Sequence, residues 1–152
     1  HTDHEVDTTT ANRHHPLESI IRYTFTLIGV FIIGAPIGIV MLYQSLSLIA
    51  TQFSHANIKF PKHIDTLISL VLISPDMHKV HHHHVLPYTD SNYGNIFSIW
   101  DRCFGTFMKL DREKLIYGVD VFPNETKNSN ISELLKQPFH AYEKPTFTEG
   151  IE

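Results

Sequence analysis

Between Tyr23 and Ile58 the chain carries no Asp, Glu, Lys or Arg, and this run limits what it can fold into. As a single helix the run would be roughly 54 Å long, against a bilayer hydrocarbon core of about 30 Å. A break is offered at Gly34-Ala35-Pro36, with Gly38 just beyond. Proline removes a helix hydrogen bond and clashes with the preceding turn. The sequence therefore predicts a helical hairpin, Leu17 to Ile33 going in and Pro36 to Phe53 coming back. Each arm is near the lower limit for a full span. A buried helical pair in a soluble bundle is the competing reading, but a soluble helix seldom lacks a charged face for so long. The expected fold class is all-α: an integral-membrane helical hairpin plus histidine-bearing helices outside the membrane.

Histidine is the compositional outlier, at 12 of 152 residues. All of them lie outside residues 16–54. The net charge of -4 gives no basic footprint, which argues against nucleic acid as a partner. Cys103 is the only cysteine, so no internal disulfide forms and a reducing compartment is permitted. The chain opens at His1 in polar, motif-like sequence, which reads as a truncated start. Residues 1–110 read as one unit, with the hairpin at about 17–54 and a metal-binding cap at about 55–110. Within the cap, 55–75 reads as a mixed connector. Residues 111–152 read as a polar, loosely packed C-terminal tail.

His78, His81 and His82 form an H-x-x-H-H pattern. On a helix, offsets of three and four place the rings within an arc of roughly 100°, so all three can face one metal ion. His83 and His84 point away and are expected to be exposed or secondary to the site. Ser74-Pro75-Asp76 can start such a helix, with Ser74 as N-cap, Pro75 at the first position and Asp76 in the positive first turn. His55 ends the returning arm and would sit at the membrane surface near this helix. His1 is a further candidate ligand. His14 and His15 precede Pro16 and are either ligands or polar caps. Neutral imidazoles leave two divalent ions with excess positive charge, so nearby acids are expected to help. Asp3, Asp7, Asp76, Asp90 and Asp101 are candidates. Asp90 and Asp101 flank Asn92-Tyr93-Gly94, a polar-aromatic stretch suited to lying over a site.

These residues together resemble the fatty acid hydroxylase and sterol desaturase superfamily of membrane di-iron enzymes. The stretches that carry the resemblance are His1-Thr2-Asp3, Asp7-Thr8-Thr9 and Arg13-His14-His15-Pro16-Leu17-Glu18. His55-Ala56-Asn57, Ser74 to His82, Asp90-Ser91-Asn92-Tyr93-Gly94 and Trp100 to Thr106 follow in order. The resemblance implies the C-terminal part of a four-helix membrane di-iron oxygenase fold. It makes His78, His81 and His82 the third histidine box, His55 the isolated ligand and His1 the last histidine of the second box. Asp3, Asp7, Asp90, Asn92 and Asp101 become the supporting residues around the ligands. The first box and the rest of the second are absent, so this chain alone is expected to be inactive.

The implied activity is O2-dependent hydroxylation or desaturation of a lipid by two iron ions, with zinc possible in a purified sample. Electrons would come from a cytochrome b5-like protein or a ferredoxin. Arg13, Arg22, Lys59, Lys62 and Lys79 flank the hairpin on the side of the histidines. That makes the side cytoplasmic, in a bacterial inner membrane or an endoplasmic reticulum. Two other classes compete. A metal-transport module predicts histidines within the span. A zinc-stapled structural hairpin predicts a closed four-ligand site, whereas an oxygenase needs open positions.

Overall fold

The protein is described by a computed structural model covering residues 5–121, 130–141 and 144–145. Helix α1 (Pro16–Ile33) begins where the sequence supplies both a cap and a starter. The His15 ring accepts the Leu17 N–H, Pro16 needs no hydrogen bond at the first position, and Glu18 sits in the positive first turn. The helix ends at Gly34, in the left-handed region at φ 68°, where the Gly34 and Ala35 amides both donate to the Val30 carbonyl. Pro36, extended at ψ 140°, then caps α2 (Ile37–His55). The expected hairpin is present, broken at the glycine-alanine-proline triplet.

The arms have 18 and 19 residues, about 27 and 28 Å of rise, which matches a hydrocarbon core. Their surfaces are apolar and outward-facing: Phe31 is 88% exposed and Ile33 80%. No residue of α1 is buried, and in α2 only Ser54 and His55 are. A core pair of a soluble bundle would bury these side chains; a membrane hairpin presents them to lipid. Four hydroxyls in the span are satisfied within their own helix: Thr24, Thr26, Ser45 and Thr51 each donate to the carbonyl four residues back.

After α2 come three short helices, α3 (Lys62–Ile68), α4 (Pro75–His81) and α5 (Ile99–Phe104). The region read as a connector from 55 to 75 thus holds a helix, capped by Pro61. Helix α4 starts as the sequence indicates: Ser74 Oγ accepts the Met77 N–H, Pro75 follows, and Asp76 lies in the first turn. Among the described residues there is no strand, only isolated antiparallel bridges pairing Leu72 with Phe97 and His83 with Tyr117.

The cap packs on α2 through α4 and through Asn95, whose side-chain amide bonds the hydroxyls of Ser47 and Thr51 one turn apart. Its interior is polar as well as apolar. Ile73, Met77, Val80 and Val85 are buried, but so are Ser74, Ser91, Asn92, Ser98 and Asp101. Residues 111–121 join this packing: Arg112 pairs with Asp76 and donates to the Phe60 carbonyl. The Ile116 N–H donates to His83 Nδ1. Further along, α6 (Ile131–Lys136) is capped by the Asn130 side chain.

Candidate metal centre

Three imidazoles from two elements meet at the foot of the hairpin. His55 comes from the last residue of α2; His78 comes from α4 and His82 from its C-cap. His78 Nε2 lies 3.2 Å from His55 Nε2 and 3.3 Å from His82 Nε2. One ligand nitrogen from each residue falls within 4.8 Å of the other two. Two nitrogens bound at about 2.1 Å to one ion, at tetrahedral or octahedral angles, sit roughly 3.0–3.4 Å apart. The two short edges have that length.

Hydrogen bonding sets which nitrogen is bare. His55 Nδ1 is 2.9 Å from the Thr51 carbonyl. A carbonyl only accepts, so Nδ1 carries the proton and Nε2 presents a lone pair. His81 is set in the same way by the Ser91 carbonyl at 2.8 Å. His78 Nδ1 is buried without a hydrogen-bond partner. Its Nε2 faces two other ring nitrogens and can donate to only one of them. A cation between the three Nε2 atoms can take a lone pair from each at once, so the donor set fits a metal ion.

Burial works in the same direction. Removal from water pushes His78 well below the ordinary histidine range, and the neighbouring histidines add to the effect. His82 is driven down to about 2, again chiefly by burial. Burial also lowers His81. Neutral imidazole is the form that binds metal. Lys79, buried beside them and lowered by the same cause, has its ammonium satisfied by Asn57 Oδ1 at 3.0 Å.

The expected residues divide by place. His81 stands beside the cluster, its ring centroid 5.7 Å from that of His78 and 5.4 Å from that of His82. It is not one of the three converging ligands. His82 does not lie within the helix, as the H-x-x-H-H argument placed it; α4 stops at His81. Its N–H bonds the Lys79 carbonyl three residues back, and this tightened turn still brings its ring to His78. His83 is not exposed: it is 2% accessible, packed against Tyr88 and accepting from the Ile116 N–H, away from the cluster. Of the two roles open to His15, the structure shows the cap. Its Nδ1 accepts from Leu17 and its Nε2 meets the Leu135 carbonyl at 3.1 Å. His14 Nδ1 lies 3.2 Å from Glu18. His1 and Asp3 lie outside the described residues.

The acids and Asn92 are placed as follows. Asp7 accepts from the Thr9 and Thr10 amides and the Thr9 hydroxyl, just ahead of a short 3-10 turn at Thr10–Asn12. Asp90 holds the Tyr93 hydroxyl at 3.0 Å, and the Tyr93 ring packs edge-on against His81 at 5.5 Å. Asp101 accepts from the Gly94 N–H and the Thr106 hydroxyl. Asn92, fully buried at φ 49°, donates to the Met77 and Met108 carbonyls and accepts the Met108 N–H. It ties the histidine helix to the following segment. Sequence reasoning missed the carbonyls of Thr51 and Ser91, which orient His55 and His81; a backbone carbonyl leaves no residue-type signal.

A membrane hairpin ending in a buried histidine, closed by a cap that brings two more imidazoles to it, defines a class: membrane proteins with a histidine cluster fit for a metal ion. The comparisons narrow this class. Residues 1–106 match the fatty acid hydroxylase family, and the chain belongs to it. It is similar to the human alkylglycerol monooxygenase, 37% identical over 73 residues, which is 48% of this chain and 15% of that protein. It is similar also to the ornithine lipid hydroxylase OlsE of Rhizobium tropici, 25% identical over 95 residues, 62% of this chain and 28% of that one. A Caenorhabditis elegans alkylglycerol monooxygenase is 28% identical over 144 residues, 93% of this chain and 26% of its own. The chain thus spans under a third of the length of these relatives. No solved structure matches it.

Proposed function

We propose that this chain supplies part of the metal centre of a membrane-bound oxygenase that hydroxylates or desaturates a lipid. The observation that carries the reading is the convergence of His55, His78 and His82 Nε2 at metal-ligand spacing under a lipid-exposed hairpin. Iron bound there would supply the activation of O2. His55, His78 and His82 would hold one ion. His81, with Nε2 bare and its ring beside the cluster, would serve the second of a pair, together with His1. Thr51 and Ser91 would hold the ligand rings in orientation through their carbonyls. The hairpin would deliver the substrate chain from the bilayer and keep bulk water from the reacting position. Substrates of the kind named for the relatives, an alkylglycerol or an ornithine lipid, suit a site at the membrane surface. The electron donor would be a cytochrome b5-like protein or a ferredoxin. It would approach from the side carrying Lys59, Lys62 and Lys79, which the positive-inside tendency makes cytoplasmic.

The test is metal content and turnover of the complete oxygenase that carries this chain, purified from membranes, with His78→Ala and His82→Ala. Each variant is expected to lose about a hundredfold or more in metal affinity, at or beyond the loss from removing a supporting residue. Lipid oxidation should vanish while the helix content of the hairpin stays. Full metal retention in both variants overturns the reading. Collapse of the cap on metal removal, with no oxidation by the intact protein, would instead mark a structural staple.

A further inference from the structure

Beyond the stretch 1–106 that matches the family, the chain carries a short amphipathic element. Helix α6 starts at Asn130, whose side chain accepts the Ser132 and Glu133 N–H groups, and it runs on into a 3-10 turn at Gln137–Phe139. With 3.6 residues per turn, Ile131, Leu134 and Leu135 fall within an arc of about 100°. Ser132, Glu133 and Lys136 fall on the other side, where Lys136 and Glu133 pair at 3.1 Å. The apolar side is left open: Ile131 is 77% exposed, Leu135 45%, and Phe139, one turn further on, 77%. Large apolar side chains gathered on one side of a segment mark an interaction surface.

The element is held at a definite height. His15 accepts the Leu17 N–H through Nδ1, so its Nε2 carries the proton and donates to the Leu135 carbonyl at 3.1 Å. His15 is the N-cap of α1, the point where the chain enters the hairpin. Leu135 is thereby pinned at the level where the hydrocarbon begins. We propose that residues 130–139 lie in the surface of the bilayer, with Ile131, Leu135 and Phe139 seated among the outer acyl segments. Three observations select lipid as the occupant. The tether sits at the mouth of a membrane helix. The open side chains continue the lipid-facing surface of α1, where Leu17 and Ile20 are exposed in the first turns. The polar side carries its own ion pair and suits the water side, which is the division of an interfacial helix. One imidazole then joins two functions, since a tail seated in the surface also holds the ring that caps α1. The inference does not rest on the oxygenase reading.

Spin labels read this directly. Cys103 is the only cysteine of the chain. In the complete protein that carries this chain, Cys103 and any upstream cysteine are replaced by serine, and the protein is reconstituted in phosphatidylcholine–phosphatidylglycerol vesicles. Labels are placed by Ile131→Cys, Leu135→Cys and Phe139→Cys, and on the polar side by Ser132→Cys and Lys136→Cys. Oxygen concentrates in acyl chains and a charge-neutral nickel chelate stays in water. The ratio of oxygen to nickel accessibility should be severalfold higher at 131, 135 and 139 than at 132 and 136. Leu135→Glu should lower that ratio for the label at 139 by driving the segment off the surface. His15→Ala should loosen the label at 135, and His15→Gln, which keeps a donor, should restore it. Equal, water-like accessibility at all five positions overturns the proposal. So do labels at 131 and 135 that are immobile and shielded from both reagents, because they would mark packing against protein. His78→Ala should leave the whole pattern intact.

Discussion

The hairpin and the cap are stabilised by opposite arrangements. From Pro16 to Phe53 no side chain is fully buried, hydroxyls bond back into their own helix, and apolar groups face outward. The cap instead buries Asn92, Asp101, Ser74, Ser91 and Ser98 and satisfies each with specific partners. In the first region the surrounding lipid does the sorting, and almost any apolar side chain of similar size would serve. In the second, removing one partner leaves another polar group stranded in a dry interior, which costs more than the bond itself contributes. A metal centre needs the second kind of order, because ligand directions must hold to a fraction of an ångström.

The sharpest way to break this contrast is Asn92→Ala. It deletes three hydrogen bonds from a fully buried side chain and places alanine at φ 49°. The cap should lose about 2–4 kcal/mol, seen as an earlier loss of near-ultraviolet dichroism while the helical signal of the hairpin in detergent persists. A single joint transition for both regions would show that they fold as one unit and sink the contrast.

Acid probes the same difference more gently. In metal-free protein, burial keeps His78 and His82 neutral far below their ordinary value of 6.5. The unfolded chain takes up protons there that the folded cap refuses, so stability rises with pH up to about 6.5 and is level above. Below that point the unfolding free energy of the cap should fall by up to about 1.4 kcal/mol per pH unit for each histidine, and its denaturation midpoint with it. The span from Tyr23 to Ser54, which holds no Asp, Glu, Lys, Arg or His, should not respond. A cap midpoint that is flat from neutral pH to about pH 5 contradicts the buried neutral cluster.

The smallest expected effect is in the hairpin turn. Gly34 sits at φ 68° with open space around the position a Cβ would take, so Gly34→Ala adds only backbone strain, about 1 kcal/mol. Thermal melting in detergent should show that modest loss, with metal content untouched. A loss as large as that of Asn92→Ala would mean the turn is packed against something the open space does not reveal.

Legibility in the sequence followed the same divide. The hairpin was readable because solvent selects composition: an uncharged run with a glycine-proline break has few other foldings. The start of α4 was readable because Ser74, Pro75 and Asp76 each act on the backbone within a turn. The cluster of His55, His78 and His82 was readable from spacing and resemblance, but its shape was not. His82 reaches the centre through a tightened C-terminal turn, and His83 is drawn inward by Ile116 and Tyr88, contacts about thirty and five residues distant. Helix α3 was missed since its seven residues carry no strong period. The packing of residues 111–121 on the cap was missed because the Arg112–Asp76 pair joins positions far apart in the chain.

Asn95 grips α2 at Ser47 and Thr51, and His55 follows one turn later on the same rigid rod. The height of the histidines above the hydrocarbon is therefore a fixed length, about 6 Å of helix beyond the upper grip. If the bilayer thins or thickens, hairpin and cap must ride together, and the depth of the histidine cluster travels with them, set by the helix and not by the membrane surface.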